Sequence, residues 1–209
     1  VSKDVFIDTK KIETLTIELK GFEKEVGEAA YHALNRTLDQ VVTQVGRIVP
    51  KEYAIKAKEV KETFAGGIKR PSKSNLEASV ASRGHTLSLA HFPLTPSDPK
   101  LAKMLEIRYG TPLKVKIKKS SGNKQIRTNP KPFLASTGAK SADKTQYNIF
   151  KRSGKSRLPI APVRTLSIPQ MITNENIGDQ IQNFATEKLN ERLQHEIERA
   201  MISIGGKLK

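Results

Sequence analysis

The 209-residue sequence predicts an α+β fold in which two long amphipathic helices pack on a mostly antiparallel β-sheet, with an extended basic β-hairpin and loop region between them. Three observations carry this expectation. Apolar residues recur at three- and four-residue steps near the start of the chain and again near its end, the spacing that gives a helix one buried face. Between these stretches the period shortens to two, most cleanly in Leu113-Lys114-Val115-Lys116-Ile117-Lys118, as in a half-buried strand. Positive charge gathers in the same middle region: from Lys100 to Arg164, 17 Lys and Arg stand against Glu106 and Asp143, a net of +15 in a chain whose total is +16.

The first helix is expected over about 22–49, with Phe22, Val26, Ala30, Leu34, Leu38, Val41, Val45 and Ile48 on its apolar stripe and Pro50 as its end. Ala54 to Phe64 reads as a shorter helix, closed by Gly66-Gly67. Leu87 and Leu89 alternate with Thr86 and Ser88 as in a strand, and Pro93, Pro96 and Pro99 then impose a loop. Residues 100–170 form the basic β-rich region. Within it, the Lys-bearing strand turns at Ser120-Ser121-Gly122-Asn123 and returns through Gln125-Ile126-Arg127. Ser136 to Lys144 is poor in large apolar residues and reads as a mobile loop. Tyr147 to Phe150 and Arg157 to Ile160 read as two strands around a turn at Ser153-Gly154. The last helix is expected over about 174–204, capped by Thr173 or Asn174, with Ile177, Ile181, Phe184, Leu189, Leu193 and Ile197 inward and Gly205-Gly206 as its stop.

There is no internal repeat, and the length suits one domain over 1–209. The hydrophobic content of 36% and the absence of Trp predict a thin core that completes its burial on a partner. A chain without cysteine has no disulfide framework and no thiolate metal site. No apolar run approaches the roughly 18 residues that span a bilayer. Val1-Ser2-Lys3-Asp4 has no signal-peptide core, so a soluble cytosolic protein is expected, and the sequon Asn35-Arg36-Thr37 inside a helical pattern is discounted.

Catalytic chemistry finds little material. Gly154-Lys155-Ser156 matches the end of a phosphate-binding P-loop, but the glycine that the motif needs five residues earlier is Ile149. His32, His85, His91 and His195 are scattered without metal-ligand spacing, and carboxylates are sparse where the strands lie. No enzyme activity, cofactor or metal is expected.

The basic residues are the candidate contacts. Lys114, Lys116 and Lys118 on one strand face, with Lys119, Lys124, Arg127, Lys151, Arg152, Lys155 and Arg157, form a set suited to phosphates or to an acidic protein surface. A solvated basic face that keeps the chain soluble is the other reading of the same residues. Phe133, Tyr147 and Phe150 are the aromatic residues among them and suit a core as well as base stacking.

Several segments, taken in order, resemble the minor tail protein Z family, the tail-completion proteins of long-tailed phages and prophages. They are Ala33-Leu34-Asn35-Arg36-Thr37, Pro132-Phe133-Leu134-Ala135, the string from Ile149 through Phe150-Lys151-Arg152-Ser153-Gly154 to Arg157-Leu158-Pro159-Ile160, and Leu166-Ser167-Ile168-Pro169-Gln170-Met171 before the last helix. The resemblance implies a non-enzymatic virion part that acts at the head-proximal end of the tail, in its completion and its joining to the capsid. It implies a homo-oligomeric ring, tail tube and head-tail connector proteins as partners, non-specific contact with phage DNA, no membrane, and assembly in the host cytoplasm. Ser141-Ala142-Asp143-Lys144-Thr145-Gln146 replaces a glycine-rich, histidine-containing loop found in related tail-completion proteins. The rival expectation is a cellular protein that binds nucleic acid without sequence preference.

Overall fold

A computed structural model describes residues 3–6, 23–141 and 144–205. The architecture is α+β, with the strands divided among three small sheets of three strands each. The chain forms two compact units. The first comprises Val1–Ile48, Ala57–Gly84 and Pro169–Lys209, and the second Val49–Lys56 and His85–Ile168.

In the first unit, helix α1 (Glu23–Glu52, whose last turn belongs to the second unit) and helix α5 (Glu175–Gly205, preceded by the short helix α4, Ile168–Ile172) are the long elements. The α1 stripe is buried as its period demands: Ala30, Ala33, Leu34, Leu38, Val41 and Val45 are all sealed from solvent. On α5, Ile177, Ile181, Leu189 and Leu193 are buried as expected, together with Ala185. Arg36 of α1 meets Glu196 of α5 at 2.8 Å. One helical turn later on α1, the Gln40 amide, turned with its oxygen toward Arg192, accepts from that guanidinium at 2.8 Å. Moving four residues forward on α1 therefore means four backward on α5, so the two helices run antiparallel.

Pro50 does not end α1. A proline removes one intrahelical hydrogen bond and crowds the carbonyl four residues back, which here belongs to Gly46. The Tyr53 N–H still donates to the Val49 carbonyl at 2.9 Å, and the helix continues to Glu52.

Helix α2 (Ala57–Glu62) is shorter than the expected 54–64, and Val60 and Phe64 are buried. Strands β1 (Lys3–Phe6), β2 (Ile68–Lys69) and β3 (Ser79–Ser82) form an antiparallel sheet in the order β1-β3-β2. Gly66 turns the chain at φ 68°. At Gly67 a Cβ would lie 2.1 Å from the Ala81 carbonyl oxygen, so only glycine lets the strands approach there.

The second unit holds the other two sheets. Strands β4 (Leu94–Thr95), β5 (Lys114–Val115) and β6 (Lys124–Gln125) make one, and β7 (Phe133–Ser141), β8 (Lys144–Arg152) and β9 (Ile160–Pro162) the other. Four expectations change here. The stretch around Leu87 and Leu89 hydrogen-bonds to residues 163–166 through a single bridge, Ser88 to Arg164, and then tightens into a 3-10 turn at Leu89–His91. The proline loop contains β4, and Pro99 opens helix α3 (Pro99–Tyr109). The Asp98 side chain caps that helix by accepting from the Leu101 N–H at 2.8 Å, Pro99 occupies the first turn, where no N–H partner is needed, and Gly110 closes it at φ 63°.

Ser136 to Ser141 is strand, not loop, because cross-strand hydrogen bonding to β8 orders it without large apolar side chains. A register shift between Ser136 and Lys140 holds Gly138 at φ 79°, and residues 142–143 of the expected loop lie outside the described residues. The strand expected at Arg157–Ile160 begins only at Ile160, and Leu158 is 67% exposed. The hairpin predicted at 120–123 is present, pairing Lys114 with Gln125 and Val115 with Lys124.

Candidate partner interface

The expected contact residues all lie in the second unit, in two groups. The first group belongs to the β5–β6 hairpin. Directly opposed residues of an antiparallel pair share a face, so Lys124 lies on the side of buried Val115 while Lys114 lies on the other. Lys114, Lys119, Lys124 and Arg127 are exposed; Lys116 and Lys118 are half-buried.

Lys118 is held in place: its Nζ is 3.8 Å from Glu52 Oε1 and 5.6 Å from the centre of the Tyr53 ring. The Lys119 N–H donates to the Glu52 carbonyl at 2.8 Å, and the Ala54 N–H donates to the Ile117 carbonyl at 2.8 Å, which ties the hairpin to residues 52–54. Burial raises the Tyr53 phenol above its ordinary 10.0, and the Glu52 carboxylate raises it further.

The second group surrounds the turn between β8 and β9. Lys151, Lys155 and Arg157 are exposed, and the Ser153 N–H closes the turn on the Pro159 carbonyl at 3.0 Å. Arg152 differs from these. Its guanidinium donates to the Arg157 carbonyl at 2.6 Å and lies 5.2 Å from the centre of the Phe133 ring. Phe133 faces Phe150 across the β7–β8 pair, with ring centres 6.2 Å apart. Arg152 thus fastens the turn to the sheet through one hydrogen bond and one ring contact, while Lys151, Lys155 and Arg157 are exposed.

The Gly154-Lys155-Ser156 string sits between two strands, with Ile149 fully buried in β8. A P-loop instead leads from a strand into a helix whose N-terminus faces the phosphates. Among the described residues no three His, Cys, Asp or Glu side chains gather as a metal site, and no helix is long and apolar enough to cross a membrane.

Sequence reasoning missed Lys100, Lys103 and Lys131 as neighbours of Arg127 and Arg152. All five line one cleft of about 670 Å³ beside α3. The signal lies in Asp98-Pro99, a cap followed by a helix-starting proline, within the stretch expected as a loop.

The comparisons with curated proteins and with solved structures each returned no match. The comparison with protein families matched residues 9–204 to prophage minor tail protein Z (GPZ), a span that includes both groups of basic residues and both long helices. The chain belongs to the prophage minor tail protein Z family.

Proposed function

We propose that this minor tail protein completes the phage tail and takes part in joining it to the head, as a non-enzymatic component of a homo-oligomeric ring. The observation that carries this reading is the family match across nearly the whole chain, which takes in both units and supports treating residues 1–209 as one tail-completion module. Its partners are then tail tube and head-tail connector proteins, met during assembly in the host cytoplasm.

The surface of α3 supports a lateral interface between subunits. Leu101, Met104, Ile107 and Tyr109 are all exposed on this one helix, Ile107 to 73%. That density of large apolar side chains in water is a mark of interaction surfaces.

The exposed cations of the β8–β9 turn and the β5–β6 hairpin supply contacts to phage DNA or to acidic virion neighbours. The test is complementation of a tail-defective phage with a Lys151→Ala, Lys155→Ala, Arg157→Ala variant, which leaves Arg152 to hold the turn. Normal folding with heads and tails left unjoined in electron micrographs is the expected outcome. Full infectivity removes the turn from the contact surface.

The concentration of charge between Lys100 and Arg164 favours a second reading, non-specific binding of nucleic acid. Under that reading affinity for random duplex DNA falls steeply as salt rises from about 50 to 200 mM, through release of counterions. Binding that ignores salt would assign the cations to a protein interface.

A further inference from the structure

The cleft beside α3 joins two kinds of surface that are usually separate. Its apolar lining includes Leu113, Ile126 and Leu134, and its volume of about 670 Å³ falls within the range of ligand pockets. Around this lining stand five cations and one carboxylate, Glu106.

The cations are not equally available. Lys131 reaches Glu106 at 2.6 Å, so the single acid is already matched. Arg152 is committed to the Arg157 carbonyl and the Phe133 ring. Lys100, Lys103 and Arg127 are exposed, and none has an ion-pair partner among the described residues. Three cations above an apolar floor call for an occupant with several negative charges and an apolar side chain between them.

We propose that this cleft docks an acidic, apolar-anchored peptide segment of another virion protein. The inference rests on the tail-completion reading and names the chemistry of one of its partners. A protein segment fits better than nucleic acid for two reasons. The aromatic ring of the cleft, Phe133, is engaged by Arg152 and Phe150, whereas single-strand binding uses aromatic faces open to bases. The aliphatic lining matches a Leu or Phe side chain, and a phosphate backbone offers nothing to fill it.

The experiment uses the full chain at about 150 mM salt, where long-range attraction is screened beyond roughly 8 Å. The probe is a fluorescein-labelled decapeptide of seven Glu, two Leu and one Phe, and the control replaces Leu and Phe by Ser at equal charge. Fluorescence anisotropy is expected to show the apolar-containing peptide binding at least tenfold more tightly than the control. A Lys100→Glu, Lys103→Glu, Arg127→Glu variant should lose at least tenfold of that affinity, while Lys56→Glu, Lys69→Glu, at exposed positions outside the cleft lining, should change it less than twofold. If the triple variant melts early, Lys100→Gln, Arg127→Gln takes its place, with a loss of at least threefold expected. Equal affinity for the two peptides, no binding to the unaltered chain, or indifference to both cleft variants overturns the proposal. So does displacement of the peptide by a random DNA duplex at a lower concentration than unlabelled peptide requires. Tail completion is judged separately, by head-tail joining with the cleft intact, so the two readings fail apart.

Discussion

Arg36 Nη1 lies 2.8 Å from Oε1 of Glu196, a carboxylate whose side chain is only 4% exposed on the inward side of α5. The contact is close but poorly aligned, and Oε1 has no hydrogen-bond donor in good geometry among the described residues. Arg199 at 3.8 Å and His195 at 4.0 Å are the next groups near this carboxylate. A buried charge with one good neighbour depends heavily on that neighbour.

Removing the guanidinium should therefore cost more than an exposed ion pair would. Arg36→Ala is expected to destabilise the chain by about 1–3 kcal/mol, below the full cost of breaking a buried pair because Arg36 keeps one side in water. Adding Glu196→Leu should recover most of the loss. Urea denaturation of the two single variants and the double variant checks this, and additive losses would mean that the two side chains do not interact.

Leu193 occupies the same inward side of α5 and is buried. Leu193→Ala should cost about 2–5 kcal/mol. Ile202→Ala, at a position 76% exposed near the end of the helix, should leave the melting temperature within error. Thermal melting of both proteins gives the comparison.

Gly67 is fixed by space. A methyl there would overlap the Ala81 carbonyl, and the Ala81 N–H donates to the Gly67 carbonyl at 2.8 Å, so the clash falls on the ladder itself. Gly67→Ala is expected to lower stability by more than about 1 kcal/mol, the range of a strained backbone site. Faster hydrogen exchange at the Ala81 amide should accompany it, and unchanged exchange would show that the strands can part without cost.

Asp98→Ala removes the cap of α3. The expected loss is about 1 kcal/mol, the usual value of an N-cap. It should appear first as faster exchange over residues 100–103, and Asp98→Asn should restore protection.

The raised Tyr53 phenol sets an alkaline limit. A group whose acid form is favoured by folding contributes stability that is complete below its unfolded value, here 10.0, and is lost as the pH climbs through the higher folded value. The tyrosinate absorbance difference between the unaltered chain and Tyr53→Phe should have its midpoint above 10.0, and Glu52→Gln should move that midpoint down.

Much of this was legible in the residues. Both long helices follow from their apolar period, because a stripe such as Leu34, Leu38, Val41 and Val45 has one way to leave water. The hairpin at 120–123 follows from its turn residues. The differences share a cause: a local pattern does not carry the hydrogen bonds that decide it. Pro99 looks like a breaker by itself, and the Asp98 cap before it makes it a helix start. Ser136 to Ser141 lacks the apolar side chains that signal a strand, and the ladder to β8 orders its backbone without them. Glu196 gave no signal, since a carboxylate within an apolar stripe reveals its partner only when Arg36 arrives from 160 residues away. The cleft was hidden for the same reason, its cations coming from α3, from beyond β6 and from β8.

The antiparallel pairing of α1 with α5 also sets a timetable. During synthesis α1 emerges well before the helix that meets it through Arg36 and Gln40, because about 160 residues separate Arg36 from Glu196. The second unit draws most of its chain from the continuous run His85–Ile168, so its strands can pair while α5 is still being translated. For that interval the apolar stripe of α1 lacks its mate, and closing the first unit requires joining ends separated by most of the chain, a slow and aggregation-exposed step. Truncated chains that stop before residue 175 should therefore collect on chaperones with a folded second unit and an unfinished first one.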